Sequence, residues 1–225
     1  MPPLLAALAI VTPATAAPPR VLMTGDSTID SIATVAKKRF ERKLGEARIT
    51  HDGRPGEGIS KSWRTNWVTY SRVQMRRHRP RATVVMVGAN EGFAMLDERG
   101  REVACCRRAW IEAYARDVGR MMRNYTARGR RVYWLTLPAP DNDRRRTIGL
   151  AVNYALRLAA RRVERARLLD MAELFTPGYR YRRRMRVDGE RVKVRERDGV
   201  HLNENGAALA VRKIQRALLA DGVID

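Results

Sequence analysis

Apolar residues of this sequence fall in short runs that are separated by longer amphipathic segments. Five runs are brief and rich in β-branched residues, as is typical of strands buried on both faces: residues 20–24, 47–51, 82–87, 131–137 and 167–170. Five longer segments repeat apolar residues at helical spacing: residues 29–44, 62–78, 107–128, 147–165 and 204–220. Strand and helix therefore alternate along most of the sequence.

This alternation predicts a three-layer α/β/α fold with about five strands in a mostly parallel sheet and helices on both faces. Ligand sites in such sheets lie at the carboxyl ends of the strands, so functional residues are expected just after strands. Residues 176–197 interrupt the pattern, and Asp188-Gly189 within them favours a hairpin insertion that turns there. A length of 225 residues with 44% apolar content suits one domain.

The N-terminus has the pattern of an export signal. An apolar run at residues 4–11 is too short to span a bilayer, and it is followed by an Ala-x-Ala-like step that ends at Ala16. This pattern predicts a signal peptide at residues 1–16, a mature domain at residues 17–225, and a protein that is periplasmic, associated with the cell wall or secreted.

The amino-acid composition gives the protein a strong positive charge. The formal net charge is +21 and the isoelectric point is about 11.2, which indicates attraction to nucleic acid, acidic polysaccharide or anionic lipid. Arginines cluster at residues 144–146, 161–162 and 182–184, a pattern that solvated helix and loop faces also show. Because no nucleic-acid-binding motif accompanies them, we expect an anionic polymer or envelope surface as partner and no specific nucleic acid.

Only two cysteines are present, and Cys105 and Cys106 are adjacent. They close no useful loop and are too few for a structural zinc site. A strained vicinal disulfide, a bond to another chain and buried thiols all remain open, and we assign these residues no chemistry. No metal or organic cofactor is expected.

Four short polar blocks carry the candidate chemistry. Gly-Asp-Ser-Thr at residues 25–28, the glycine-rich residues 52–58 and Gly-Ala-Asn-Glu at residues 88–91 each follow a predicted strand, and Asp-Gly-Val-His at residues 198–201 precedes the last helix. In order and position these blocks resemble those of the exported SGNH/GDSL hydrolases. The resemblance implies a flavodoxin-like fold and a serine esterase or lipase.

The first and last blocks contain the groups that acyl transfer needs. A serine hydroxyl requires a base within hydrogen-bond reach and a group that fixes the tautomer of that base. Ser27 as nucleophile, His201 as base and Asp198 as its orienting carboxylate meet this need, and the resemblance implies the same Asp-x-x-His arrangement. His51 beside Asp52 and His78 in a basic helix end are weaker candidates.

The resemblance also implies the donors of an oxyanion hole: the backbone N–H groups of Ser27 and Gly58 and the side-chain amide of Asn90. Gly53 and Gly56 are alternatives for the second donor. Gly58 is preferred because the Gly58-Ile59 step resembles the Gly-Leu step of exported members.

Two residues depart from the family pattern. Thr28 replaces the usual leucine, and Glu91 stands where many members have aspartate. The second departure bears on how Asn90 is held, since the two residues are adjacent.

These features predict an esterase that removes short acyl groups from a carbohydrate or cell-envelope polymer. Two alternatives remain: an O-acyltransferase that uses the same triad, and a non-catalytic protein of this fold that binds an anionic polymer. A phosphate loop is disfavoured, because Gly53 and Gly58 have its spacing but Ile59 stands where its lysine is required. The sequence specifies no oligomeric state.

Overall fold

The computed structural model describes residues 17–44 and 47–225, and the predicted signal peptide lies outside the described residues. Its strands are β1 (Arg20–Gly25), β2 (Arg48–Gly53), β3 (Ala82–Met86), β4 (Met95–Leu96), β5 (Glu102–Val103), β6 (Arg131–Leu135), β7 (Ala166–Leu169), β8 (Arg184–Val187) and β9 (Glu190–Lys193). Its α-helices are α1 (Asp30–Lys37), α2 (Trp67–His78), α3 (Arg108–Thr126), α4 (Asp143–Ala160), α5 (Met171–Phe175) and α6 (Glu204–Ala220).

The core of the fold is a parallel sheet of five strands in the order β2-β1-β3-β6-β7. All five residues of β3 are buried, as expected for a central strand covered on both faces. Helices α1 and α6 pack against each other, and α3 packs between α2 and α4. These helices flank the sheet, and the predicted three-layer fold is confirmed.

Several element boundaries differ from the prediction for local reasons. Helix α2 begins at Trp67, five residues later than predicted, because the Asn66 side chain caps it by accepting from the N–H of Thr69. Helix α4 begins four residues earlier and ends at Ala160, because Asn142 caps it by accepting from the N–H of Arg145. After α1 the backbone continues as a π-helix at Lys38–Leu44.

Two small hairpins lie outside the main sheet. Strands β8 and β9 pair antiparallel and turn at Asp188-Gly189, where both residues have positive φ. The pair of β4 and β5 was not predicted, because two-residue strands carry no readable periodicity. Of the alternatives for Cys105 and Cys106, the structure contains the vicinal disulfide. None of the described helices is long and apolar enough to cross a membrane.

A polar network fastens α2 to the end of β2. The Asp52 carboxylate accepts a hydrogen bond from the Tyr70 hydroxyl and lies 2.8 Å from Nε2 of His78. Burial raises the pKa of Asp52, but the hydrogen bonds from Tyr70 and His78 outweigh it and hold the pKa below its ordinary value of 3.8. The ionised carboxylate therefore stabilises the folded state.

We expect Asp52→Asn to lower the free energy of unfolding by about 1–2 kcal/mol at about pH 7. Because the folded pKa is depressed, the contribution of Asp52 is complete above 3.8 and is lost as the pH falls through the folded value. Urea unfolding of both proteins should therefore show a difference that shrinks as the pH approaches about 2. Glu98→Gln at an exposed position is the control, and a difference that grows in acid would contradict this account.

Candidate functional site

The Ser27 side chain lies at the carboxyl end of β1, at the edge of the sheet where the prediction placed the site. A tight 3-10 turn, Ser27–Ile29, follows the strand directly, and Asp26 caps it by accepting from the N–H of Thr28. A Cβ at Gly25 would lie 1.7 Å from the carbonyl oxygen of Met86, so only glycine allows β1 and β3 to approach this closely.

The buried Asp26 carboxylate joins the first block to the third. One oxygen accepts from the N–H and the hydroxyl of Thr28, at 2.9 and 2.5 Å. The other accepts from the N–H groups of Gly88 and Ala89, both at 2.9 Å. Because Ser27 and Asn90 are the next residues along their loops, this carboxylate fixes both relative to each other.

The structure brings together the three residues that the sequence singled out as a triad. Oγ of Ser27 lies 2.8 Å from Nε2 of His201, and Nδ1 of that ring lies 2.5 Å from a carboxylate oxygen of Asp198. With Nδ1–H donated to Asp198, Nε2 is left as an acceptor that faces the serine hydroxyl.

Asp198 keeps its charge although it is held in a tight loop. Its second oxygen accepts from the N–H groups of Val200 and His201 at 2.9 and 3.0 Å. Partial burial raises its pKa, but the hydrogen bonds from the His201 ring and these two N–H groups outweigh it and lower the pKa to about 2. The carboxylate is therefore ionised at neutral pH.

A buried arginine holds this loop against the rest of the site. Arg195 is 1% exposed, and its guanidinium donates to the carbonyl oxygens of Val200 at 2.6 Å and Ala139 at 3.1 Å. Burial lowers its pKa to about 10, so it remains charged at neutral pH. Sequence reasoning missed Arg195, because nothing in the pattern distinguishes it from the many other arginines.

Asn90 and the glycine-rich loop meet beside Ser27. The Asn90 amide donates to the carbonyl oxygen of Glu57 at 3.2 Å, and its second N–H hydrogen remains for another acceptor. Gly58 is buried, and a Cβ there would lie 3.1 Å from the Asn90 carbonyl oxygen. Among the hydrogen bonds within residues 17–44 and 47–225, none uses the N–H of Ser27 or Gly58.

The other glycines of this loop are placed differently. A Cβ at Gly53 would meet the side chains of His51 and Asp30 at 2.6 and 2.9 Å, whereas Gly56 faces open space with a φ of +76°. Of the three glycines, Gly58 is the one whose Cβ position touches Asn90.

Glu91 holds the glycine-rich loop in place. Its buried carboxylate accepts from the N–H groups of Ile59 and Ser60 at 2.7 and 2.8 Å, from the Ser60 hydroxyl at 2.5 Å and from the Tyr114 hydroxyl at 3.0 Å. Burial raises its pKa, and these hydrogen bonds oppose the rise only in part. The departure noted in the sequence thus has a structural reason, because Glu91 links the second block, the third block and α3.

The remaining histidines are engaged elsewhere. Nε2 of His51 lies 3.0 Å from Asp30, and Nε2 of His78 lies 2.8 Å from Asp52. In the described part of the chain, no three histidine, cysteine, aspartate or glutamate residues are grouped as metal ligands would be.

A cavity of about 240 Å³ lies next to the segments that carry the triad, although Ser27, Asp198 and His201 themselves are not part of its lining. Its lining includes Thr28, Asn90 and Val200, which are or adjoin the site residues. Apolar side chains form much of the remaining wall, namely those of Met86, Leu137, Pro138, Pro140 and Ile148. A small cavity whose wall is largely apolar is suited to a small organic group.

Comparisons with known proteins agree with this architecture. A family profile described as "Protein of unknown function (DUF459)" matches residues 20–217. The peptidoglycan O-acetyltransferase A C-terminal catalytic domain of Streptococcus pneumoniae, with a methylsulfonyl adduct, has a similar structure (TM-score 0.58, 16% identity, 93% of this chain and 98% of that one). No match to a curated protein is found.

Two further solved structures resemble the chain to the same degree. A GDSL-like lipase from Bacteroides thetaiotaomicron gives a TM-score of 0.57 at 16% identity, over 92% of this chain and 93% of that one. A carbohydrate esterase family 3 protein from Talaromyces cellulolyticus gives 0.58 at 17% identity, over 89% and 96%. At such identities the likeness concerns the fold.

We expect Asp26→Asn to lower the free energy of unfolding by about 3 kcal/mol, since an amide nitrogen would face donors that now reach a carboxylate. Thr28→Val removes one of the four hydrogen bonds and should cost about 1 kcal/mol. Urea unfolding measures both. Equal costs for the two variants would show that Asp26 does not join the loops as described.

Proposed function

The chain belongs to the DUF459 family and has the SGNH/GDSL hydrolase fold, and from this premise we propose that it is a serine esterase acting on short acyl esters of a carbohydrate. Ser27 is the proposed nucleophile, His201 the base and Asp198 the group that orients the base. The observation that carries the proposal is the 2.8 Å contact between Oγ of Ser27 and Nε2 of His201, with Asp198 on the opposite ring nitrogen.

In the first half of the proposed reaction, Nε2 of His201 takes the Ser27 proton as Oγ attacks the acyl carbonyl carbon. The charged Asp198 stabilises the imidazolium that forms. When the tetrahedral intermediate collapses, the bond to the alcohol oxygen breaks, and His201 gives its proton to that oxygen. The acyl group remains on Ser27 as an ester.

The negative oxygen of the intermediate needs donors that are already in place. We assign this role to the N–H groups of Ser27 and Gly58 and the Asn90 amide. Buried N–H groups normally have a partner, and the buried N–H of Gly58 has none among the described residues. Asp26 and Glu91 act indirectly, as positioning residues, because they hold the loops that carry these donors.

In the second half, a hydroxyl group attacks the acyl-enzyme while His201 removes its proton. Water as the attacking group completes hydrolysis, whereas a sugar hydroxyl gives an O-acyltransferase. The similar fold of a peptidoglycan O-acetyltransferase supports keeping this second candidate. Both activities need the same residues, and product analysis with and without sugar acceptors distinguishes them.

The substrate proposal rests on the size of the cavity and on the charge of the protein. A volume of about 240 Å³ is near the lower end of the range of ligand pockets and favours a short acyl group. The similar fold of a carbohydrate esterase supports a sugar as the alcohol. The net charge of +21 favours an acidic polymer or envelope surface as the location of the substrate, in agreement with the proposed export.

We expect fluorophosphonate labelling and p-nitrophenyl acetate hydrolysis to disappear in Ser27→Ala. In His201→Ala, turnover should fall by about 10⁶-fold, because the serine loses its base. His51→Gln is the matched control, since that histidine also pairs with an aspartate, and it should keep most of the activity. A folded wild type that neither reacts with the probe nor cleaves any ester would favour a non-catalytic polymer-binding protein.

Asn90→Ala should lower kcat by about 10²–10³-fold with little change in KM, because the lost donor acts mainly on the transition state. Asn124→Ala is the control, since that amide donates to Val68 and Ser71 on α2. Steady-state kinetics on p-nitrophenyl acetate provide both constants. A rise in KM alone would assign Asn90 to substrate binding.

A further inference from the structure

An exposed pair of aromatic rings stands at the rim of the cavity. Trp63 is 65% exposed and Phe93 is 42% exposed, and their ring centroids lie 5.2 Å apart in an edge-to-face arrangement. Phe93 also lines the cavity beside Asn90. Large aromatic side chains left in water at the mouth of a pocket are characteristic of ligand contact.

The rings are held by the same segments that form the site. The carbonyl oxygen of Phe93 accepts from the buried indole N–H of Trp110 at 2.8 Å, so the backbone there is fixed. Trp63 follows the loop that begins at Gly58 and is anchored by Glu91. The pair of rings formed by Trp63 and Phe93 therefore has a set position relative to Ser27. It loses little conformational entropy when a ligand binds.

Two cationic side chains, those of Lys61 and Arg145, also belong to the rim of the cavity. Lys61 lines the cavity, donates to the carbonyl oxygen of Gly56 at 2.9 Å and lies 5.1 Å from the centroid of the Phe93 ring. Arg145, near the start of α4, lines the cavity as well. Within the described residues neither forms an ion pair with a carboxylate. Glu91, which also lines the cavity, already accepts four hydrogen bonds from protein groups.

We propose that Trp63, Phe93, Lys61 and Arg145 form a subsite for a carboxylated sugar, so that the natural substrate is an acylated acidic polysaccharide. The C–H face of a pyranose ring matches the exposed indole in shape and polarity. A carboxylate on that sugar would be attracted to Lys61 and Arg145, the two cations of the cavity lining. This inference rests on the proposed esterase function and specifies its alcohol portion.

An anionic lipid ester would meet the same cations, but it would also need a deep channel for its chain. The cavity has a volume of about 240 Å³; of the two exposed rings, Phe93 lines it and Trp63 contacts Phe93 from outside the lining. A platform at the mouth suits a flat ring that continues into polymer outside the cavity. We therefore commit to the sugar and treat the lipid as an outcome of the experiment.

The test compares kcat/KM on O-acetylated polygalacturonate, on a neutral O-acetylated glucomannan and on p-nitrophenyl acetate. In Trp63→Ala, the ratio of either polymer to the small ester should fall by about tenfold or more. In Lys61→Ala and Arg145→Ala, the ratio of the acidic polymer to the neutral one should fall, and added salt should weaken the acidic polymer selectively. Tyr154→Ala and Arg144→Ala, exposed residues outside the cavity lining, should change neither ratio.

A binding measurement separates this inference from the esterase proposal. Ser27→Ala should retain unacetylated polygalacturonate in affinity electrophoresis, and adding Trp63→Ala to that variant should abolish the retention. Retention without any ester cleavage by the wild type would overturn the esterase and leave the subsite standing. Cleavage by a Trp63→Ala protein with unchanged ratios, or selective binding of anionic lipid vesicles in place of the polymer, would overturn the subsite.

Discussion

Two loops that leave neighbouring strands of the sheet are held together by one buried carboxylate. Asp26 accepts hydrogen bonds from the turn after β1 and from the loop after β3, and the rest of the site is arranged around this connection. A carboxylate without these donors would be expensive to bury, so the loops must close for the fold to be stable. At these two loops, the chain folds and the site forms in the same step.

Glu91 and Arg195 hold loops in place in the same way as Asp26. Each is a buried polar side chain that bonds backbone groups of other loops: Glu91 accepts from two backbone N–H groups and two hydroxyls, and Arg195 donates to two carbonyl oxygens. Backbone groups offer no side-chain rotation, and a charged partner makes the hydrogen bond shorter and stronger. The result is a set of loops held in place without regular secondary structure, as the proposed oxyanion donors beside Ser27 would require.

Much of the architecture could be predicted from the sequence, because strands buried on both faces are short apolar runs and the helices between them have a clear period. The bounds of α6 were predicted in full, whereas the starts of α2 and α4 were misplaced. Those starts depend on single caps, Asn66 and Asn142, that periodicity does not show. Ser27, Asp198, His201 and Asn90 stood out because they fall in short blocks after predicted elements. Arg195 and the aromatic rim did not, since their significance depends on contacts between distant segments.

The proposed nucleophile and the proposed base differ in how many buried groups hold them in place. Ser27 lies between loops that buried side chains hold in place. Asp198 and His201 share one short loop at the surface, before the last helix. The side chains of Asp198 and His201 are partly exposed and do not line the cavity, so replacing either one removes no side chain from the core or from the cavity wall. The residues of the proposed proton-transfer pair and the buried residues that hold the loops of the site, Asp26, Glu91 and Arg195, are therefore separate sets.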